Sequence, residues 1–347
     1  MAPASSPVDL AGRLCGFLAS KLPTARELRI DSLAPITAGN AREVWQFDFQ
    51  CIDGNAPRKM SCVLMRKAAA GQLETEPDRE FRIVDLLWGS GVPVARALWI
   101  DSDGRWFGRP SFIMERVAGA SDLPPLLKGE AGQDSRRLAL NLAGIAARLH
   151  TLEYDKLGVN FLQPTTIESA AGQQVQYWES LFLKHRMEPH PAMVAAFIWL
   201  KEHLPTARRV SIVHGDFRFG NLLYEGDRIN ALLDWEMAHL GDPVEDIAWA
   251  YRALWSPRAF VSLDEFVSRY TELSGIQVDP ETLRFYRLLG EVKHSIISLT
   301  GARAFVDGRT RNLFLADRAS TISAYLMQFL DWLPGADKKT TSTARKL

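Results

Sequence analysis

Short apolar runs separated by polar turns dominate the first third of the chain. Trp45, Phe47, Phe49 and Cys51 recur at every second position between polar residues, which is typical of a strand with one buried face. Strands are predicted at 28–36, 44–52, 61–67, 97–101 and 111–117. Helical spacing of apolar residues predicts two helices, at 8–22 and 80–87. The first third is therefore a strand-rich unit with few helices.

Longer helical patterns follow in the rest of the chain. Amphipathic spacing predicts helices at 135–151, 175–185, 192–204 and through most of 263–330. Three short apolar runs interrupt them at 210–213, 222–224 and 229–233, and we interpret these as buried strands. The polar tail after Pro334 is predicted to be disordered.

Polar side chains follow the short buried strands of the second part. His214, Gly215 and Asp216 come after the first run, Asn221 lies five positions beyond Asp216, and Asp234 comes after the last run. Oxygen-bearing side chains gathered at strand ends suit a hard cation such as Mg2+ bound with a phosphate-bearing substrate. A single His-Gly-Asp triplet has another interpretation, because an aspartate in a turn is often satisfied by backbone N–H groups.

Composition narrows the function classes. The 347 residues exceed what one compact core usually serves, so two lobes are predicted. A formal net charge of +0 provides no overall electrostatic footprint for nucleic acid or an anionic membrane. Three sparse cysteines, no signal-peptide pattern and no apolar window long enough for a membrane span predict a cytoplasmic protein.

The spacing of the polar residues matches a known catalytic loop. Asp216 and Asn221 reproduce the spacing of the protein-kinase pattern H-R-D-x-x-x-x-N, and Asp234 stands where the aspartate of D-F-G would follow. This pattern resembles the aminoglycoside phosphotransferase family, whose members are kinase-like enzymes. The segment 233–243, LDWEMAHLGDP, is similar to the branch related to the kinase-like domain fused to some acyl-CoA dehydrogenases.

The resemblance implies a two-lobed protein-kinase-like α+β fold. Residues 1–117 would form an N-lobe with an antiparallel sheet and one key helix, and residues 118–347 a mostly helical C-lobe. It also implies transfer of the ATP γ-phosphoryl group to a small-molecule hydroxyl.

The same resemblance implies roles for the polar residues. Asp216 would accept or orient the proton of the attacking hydroxyl, and Arg218 would stabilise charge on the transferred group. Asn221 and Asp234 would hold Mg2+. We expect His214 to be a scaffold residue and Asp246 to brace the loop.

Nucleotide contacts are expected from the N-lobe. Arg66, at the end of the third strand, would contact the ATP phosphates and pair with Glu80 on the following helix, with Lys67 as the alternative cation. Only one of these two neighbours can serve, because successive strand residues point to opposite faces. A turn at 37–43, with Gly39 at its tip, would cover the nucleotide. Main-chain groups of Glu115 and Val117 would bind adenine.

The acceptor is less constrained than the nucleotide. The dehydrogenase-linked branch suggests a hydroxyacyl-CoA or related hydroxy acid derivative, and a separate acyl-CoA dehydrogenase in the same pathway. Alternatives are an aminoglycoside or other small-alcohol kinase, and a catalytically inactive nucleotide-binding module. Lys293, His294 and Arg303 are candidates to line the acceptor pocket, or else they lie on solvated helix faces.

Overall fold

The N-lobe is built on one antiparallel sheet. The structure is a computed structural model, and it describes residues 7–36, 42–68, 76–122, 128 and 135–332. The strands are β1 Ala25–Ile36, β2 Arg42–Asp53, β3 Ala56–Lys67, β4 Ala97–Asp101 and β5 Ser111–Glu115. They pair in the order β1-β2-β3-β5-β4. All five predicted strands are confirmed, although β1 to β3 begin earlier than predicted.

The two faces of this sheet carry different helices. The alternation predicted for β2 is confirmed, because Phe47, Phe49 and Cys51 share one buried cluster with α1, Pro7–Lys21. The opposite face meets α2, Pro77–Leu87, where Phe81 packs edge-on against Phe112. A polar residue on β3 is therefore directed either toward α1 or toward α2.

A short linker joins the two lobes and is fixed to the C-lobe. Ala120 exchanges two backbone hydrogen bonds with Tyr224, with N···O distances of 2.9 and 3.0 Å. Gly119 has φ +135°, and a Cβ there would lie 2.9 Å from the Tyr224 backbone nitrogen. This crossing therefore requires glycine.

Helices make up most of the C-lobe. They are α3 Ser135–His150, α4 Ala170–His185, α5 Pro191–Glu202, α6 Val244–Ala250, α7 Leu263–Ser274, α8 Pro280–Val306, α9 Leu313–Asp317 and α10 Ile322–Trp332. The helical segments predicted from spacing are confirmed, with ends that differ by a few residues. Within the described ranges, no helix is long and apolar enough to cross a membrane. The predicted tail after Pro334 lies outside the described residues.

Two small antiparallel strand pairs bring the polar loops together. β6, Ser211–Val213, pairs with β9, His239–Gly241. β7, Leu222–Glu225, pairs with β8, Arg228–Leu232. The loop after β6 and the loop after β8 consequently lie side by side, and the Leu233 N–H donates to the Asn221 carbonyl at 2.9 Å. The antiparallel N-terminal sheet and helical second part confirm the α+β fold class.

Candidate active site

The loop after β6 is held by one buried carboxylate. Asp246, on α6, accepts hydrogen bonds from the backbone N–H groups of His214 and Gly215 at 2.8 and 2.9 Å, and its Oδ2 lies 3.1 Å from His150 Nε2. Although burial alone would raise it, the bonds and charges from His150 and His214 lower the pKa of Asp246. Asp246 is fully enclosed and braces the loop from beneath.

His214 is a structural member of the same loop. Its Nδ1 accepts the Asp216 backbone N–H at 3.1 Å, so its Nε2 carries the proton that is donated to the Leu233 carbonyl at 2.9 Å. Burial lowers the pKa of His214, which keeps the ring neutral. His214 therefore links the two loops and is not directed at a reactant.

Three donors converge on the Asp216 side chain. Its Oδ1 accepts from Arg218 Nε at 3.0 Å and from Trp249 Nε1 at 2.6 Å, and its Oδ2 accepts from Asn221 Nδ2 at 2.7 Å. The carboxylate is partly exposed, and Oδ2 retains capacity for one further donor. Sequence reasoning missed Trp249, because a tryptophan in an apolar helix is usually a core residue.

Asn221 and Asp234 provide hard oxygen donors beside this carboxylate. Asn221 uses Nδ2 for both the Asp216 carbonyl and Oδ2, which directs its own Oδ1 away from Asp216. Asp234 is exposed and adopts φ +61° and ψ +61°, an uncommon conformation that asparagine and aspartate tolerate best. Within the described ranges, no cluster of three His, Cys, Asp or Glu side chains could hold a metal. The two donors would suit an Mg2+ ion that takes its other ligands from phosphate and water.

An ion cluster at the junction of the lobes corrects the predicted pairing of Glu80. Glu80 on α2 forms an ion pair with Arg42 at the start of β2, and not with Arg66. Arg42 also contacts Glu236 Oε2 at 2.6 Å, and Glu236 lies two residues beyond Asp234. Burial, opposed by Arg42, raises the pKa of Glu80 to about 7. Although burial alone would lower it, the carboxylates around Arg42 raise the pKa of that guanidinium. Arg42 therefore takes the place beside α2 that was predicted for the strand cation.

Strand geometry explains why Arg66 does not lie beside α2. In the ladders of β3, Arg66 is opposite Glu43 and Ser111, and its Nε lies 3.5 Å from Glu43 Oε2. This is the face that carries α1, because Cys62 and Leu64 of the same alternation are buried against it. Lys67, opposite Arg42, is on the α2 face, and its Nζ lies 3.5 Å from Glu76 Oε1.

Three further residues are predicted to contact the nucleotide, and they lie in different parts of the chain. Glu115 is the last residue of β5, and its N–H already donates to the Arg96 carbonyl at 2.9 Å. Val117 lies in the linker between the lobes. Gly39 lies outside the described residues. The contacts of all three with a nucleotide stay predictions.

Two of the residues suggested for an acceptor pocket have other partners. Lys293 on α8 is buried, donates to the Gly215 carbonyl, and lies 3.0 Å from Glu245 Oε1. Its ammonium also lies 4.4 Å from the centre of the Trp249 ring. Lys293 is thus a second brace of the catalytic loop. Arg303 pairs with Asp307 at 2.8 Å near the end of α8.

The antiparallel sheet of the first lobe and the helices of the second together form a kinase-like fold. The model of the phosphotransferase enzyme family matches residues 34–287, which is more than half of the chain. The chain therefore belongs to the phosphotransferase enzyme family.

Two curated relatives are acyl-CoA dehydrogenase family members. Acyl-CoA dehydrogenase family member 10 of Mus musculus is 33% identical over 239 residues, covering 65% of this chain and 21% of that protein. Acyl-CoA dehydrogenase family member 11 of Homo sapiens is 27% identical over 232 residues, covering 64% of this chain and 29% of that protein. The chain matches less than a third of the length of these two relatives.

Solved structures share the fold at low identity. A candidate aminoglycoside phosphotransferase from Ralstonia eutropha superposes with a TM-score of 0.71 at 22% identity, covering 92% of this chain and 97% of that one. A thermostable mutant of the aminoglycoside phosphotransferase APH(4)-Ia, in a ternary complex with ADP and hygromycin B, has a TM-score of 0.58 at 19% identity. That match covers 93% of this chain and 99% of the other.

Proposed function

We propose that this protein is an Mg2+- and ATP-dependent phosphotransferase that moves the γ-phosphoryl group to the hydroxyl of a small molecule. The observation that carries this proposal is the environment of Asp216. Two N–H donors on Oδ1 and one on Oδ2 orient the carboxylate, and a braced loop holds its backbone. Such preorganisation is what a positioned base requires.

Four residues of the chain have roles in the proposed transfer. The acceptor hydroxyl donates its hydrogen bond to Asp216 Oδ2, which fixes the direction of its oxygen lone pair toward the phosphoryl group. As the new P–O bond forms and the bond to ADP breaks, the hydroxyl proton passes to Asp216. Arg218, whose Nε holds Oδ1 at 3.0 Å, keeps cationic charge beside the reacting oxygens. An Mg2+ held by Asn221 and Asp234 would neutralise charge on the phosphate oxygens.

The nucleotide would lie at the junction of the lobes. Arg42 is the cation proposed to approach its phosphates, because it is held between Glu80 and Glu236 close to the Asp234 loop. Val117 and Glu115 are proposed to meet the adenine through their main chains, and Gly39 to belong to the covering turn. The ADP complex of the structural neighbour APH(4)-Ia supports a nucleotide in a fold of this kind.

For the acceptor we propose a hydroxyacyl-CoA or related hydroxy acid derivative. Similarity to the acyl-CoA dehydrogenase family members supports this choice, as does the LDWEMAHLGDP segment. A separate acyl-CoA dehydrogenase would then act in the same pathway. An aminoglycoside acceptor is the second candidate, and the hygromycin B complex of the neighbour favours it.

The test is a screen for acceptor-dependent ADP release in the presence of Mg2+. The acceptors are hydroxyacyl-CoAs, hydroxy acids, aminoglycosides, choline-like alcohols and sugars. Wild type should release ADP with one class, and Asp216→Asn should lower kcat by about a thousandfold or more while binding Mg-ATP normally. Asp227→Asn, a substitution at a partly exposed position of the β7–β8 turn where the side chain pairs with Arg137, is the matched control. Undiminished turnover by Asp216→Asn would contradict the role of that residue.

A further inference from the structure

A group of arginines lies directly behind the catalytic carboxylate. Trp249, which donates to Asp216, packs against Trp255 with ring centres 5.1 Å apart. The guanidinium of Arg218 lies 5.1 Å from the centre of the Trp255 ring, and that of Arg252 lies 5.3 Å from it on the same residue. The two arginines therefore share one aromatic residue next to Asp216.

His294 connects this pair to a third arginine. Its ring stacks on Tyr325 at 4.3 Å, and Arg318 Nη2 lies 3.2 Å from its Nε2. The Arg252 guanidinium lies over the same tyrosine at 4.6 Å. We call Arg218, Arg252 and Arg318, grouped around His294, the arginine cluster.

Its charge is not balanced. Asp216 accepts from Arg218, and Glu291 accepts from Arg252 at 2.5 Å. Among the described residues, no carboxylate lies within ion-pair distance of Arg318. Burial, together with the charges of the three arginines, lowers the pKa of His294 to about 2, so the imidazole is neutral. Three cations thus face two carboxylates, one of which is the catalytic base.

Several polar atoms of the cluster have no partner. Within the described part of the chain, Arg252 Nε and Nη1, Arg318 Nε and His294 Nδ1 are enclosed and form no hydrogen bond. Arg252 is 5% exposed, so bulk solvent is largely excluded from its guanidinium. Buried donors without acceptors are unfavourable and frequently mark the position of a bound ion or ligand. Arg218 and Arg318 are partly exposed, so the cluster is connected to solvent.

We propose that the arginine cluster binds an oxyanion of the acceptor, so that the physiological acceptor is a small hydroxyl compound carrying a carboxylate or phosphate. This inference rests on the proposed function, because it assigns the acceptor class to the same site. Guanidinium groups match these oxyanions in geometry and charge. A polycationic acceptor such as an aminoglycoside would meet like charge here, which opposes its binding.

The first experiment measures binding without turnover. Tryptophan fluorescence is titrated with butyrate, methyl phosphate and butyramide at constant ionic strength, because Trp249 and Trp255 report on the cluster. Saturable quenching by butyrate or methyl phosphate, at least tenfold tighter than by butyramide, is expected, and the tighter of the two identifies the oxyanion. Equal responses to all three would overturn the proposal.

Variants show whether the anion binds at the arginine cluster. Arg252→Met should weaken anion binding at least tenfold, whereas Arg303→Met, on the same helix but paired with Asp307, should leave it unchanged. Arg318→Met, at a half-buried position, gives the same readout if Arg252→Met does not fold. Unaltered quenching in both arginine-cluster variants would show that the anion binds elsewhere.

Turnover measurements then distinguish the anionic acceptor from the proposed phosphotransferase activity. Wild type should use a hydroxy acid with a KM at least tenfold below that of the corresponding hydroxy amide, and Arg318→Met should reduce that ratio without changing the KM for Mg-ATP. A preference for neutral or cationic acceptors would overturn the anionic acceptor while leaving the phosphotransferase intact. Anion binding without ADP release on any acceptor would contradict the proposed function and leave the site in place.

Discussion

At the residue scale, the surroundings of two aspartates assign them different tasks. Asp246 is fully buried, and N–H groups of His214, Gly215 and His150 occupy its oxygens. Asp216 is partly exposed and retains acceptor capacity on Oδ2. A carboxylate whose oxygens are filled by the chain can hold a loop, whereas one with a vacant lone pair can receive a substrate proton.

A third aspartate contributes to the response of stability to pH. Asp242 is buried, its Oδ1 accepts the Val244 N–H at 3.0 Å, and its Oδ2 has no partner in the described part of the chain. Burial raises the pKa of Asp242 from 3.8 to about 7. Between these values the folded state holds a proton on Asp242 that the unfolded state has released, so the contribution of Asp242 to stability falls as pH rises from about 4 to 7.

Asp242→Asn should therefore stabilise the protein by roughly 4 kcal/mol at pH 8 and by only about 1 kcal/mol at pH 4.5, because each unit of pKa shift corresponds to about 1.4 kcal/mol. The amide stays neutral and can still accept the Val244 N–H. Urea unfolding at the two pH values measures the difference. Asp155→Asn, at an exposed position, is the control. A constant offset between wild type and Asp242→Asn across this range would contradict the assignment.

At the element scale, local patterns predicted most of the fold and part of the site. Strands and helices follow from spacing, and the loop containing Asp216 and Asn221 follows from a motif within a single stretch of chain. The partner of Glu80 could not be found in this way. It depends on how β2 pairs with β3 and on which face α2 packs, and those are relations between distant segments. The contact of Trp249 with Asp216 is of the same kind.

Substitution of two arginines on adjacent strands tests which face of the sheet contacts the nucleotide. Arg42→Met should raise the KM for Mg-ATP at least tenfold, because Arg42 is on the face of α2 beside the Asp234 loop. Arg66→Met should change that KM less than twofold, because Arg66 is on the face of α1. Steady-state kinetics at saturating acceptor measures both.

A control is needed because Arg42→Met leaves Glu80 and Glu236 buried without their cation. Arg42→Lys keeps the charge, and it should recover part of the stability and of the nucleotide affinity. Melting temperatures of the three variants separate loss of fold from loss of binding. A larger effect of Arg66→Met than of Arg42→Met on the KM for Mg-ATP would reverse the assignment of the phosphate-contacting cation.

At the scale of the whole molecule, several contacts join the lobes, and two of them border the proposed nucleotide position. The linker is paired with β7 through Ala120 and Tyr224, and the Arg42 side chain reaches across to Glu236. The proposed nucleotide position lies between these contacts, so a bound nucleotide would touch both lobes. Ligand that binds only the folded chain stabilises it by mass action.

Mg-ATP at about 100 times its Kd should therefore stabilise the protein by about 2.7 kcal/mol and raise its melting temperature by a few degrees. Asp234→Asn should lose most of this shift, because it removes the negative charge of one of the two proposed metal ligands and leaves a neutral amide oxygen there. Asparagine tolerates the left-handed conformation at φ +61°, so the melting temperature without ligand should not change. Adding EDTA to wild type should have the same effect as the substitution, and Asp227→Asn should behave as wild type. If Asp234→Asn keeps the full shift in Mg-ATP, or if EDTA leaves the wild-type shift intact, the metal is not held at Asp234.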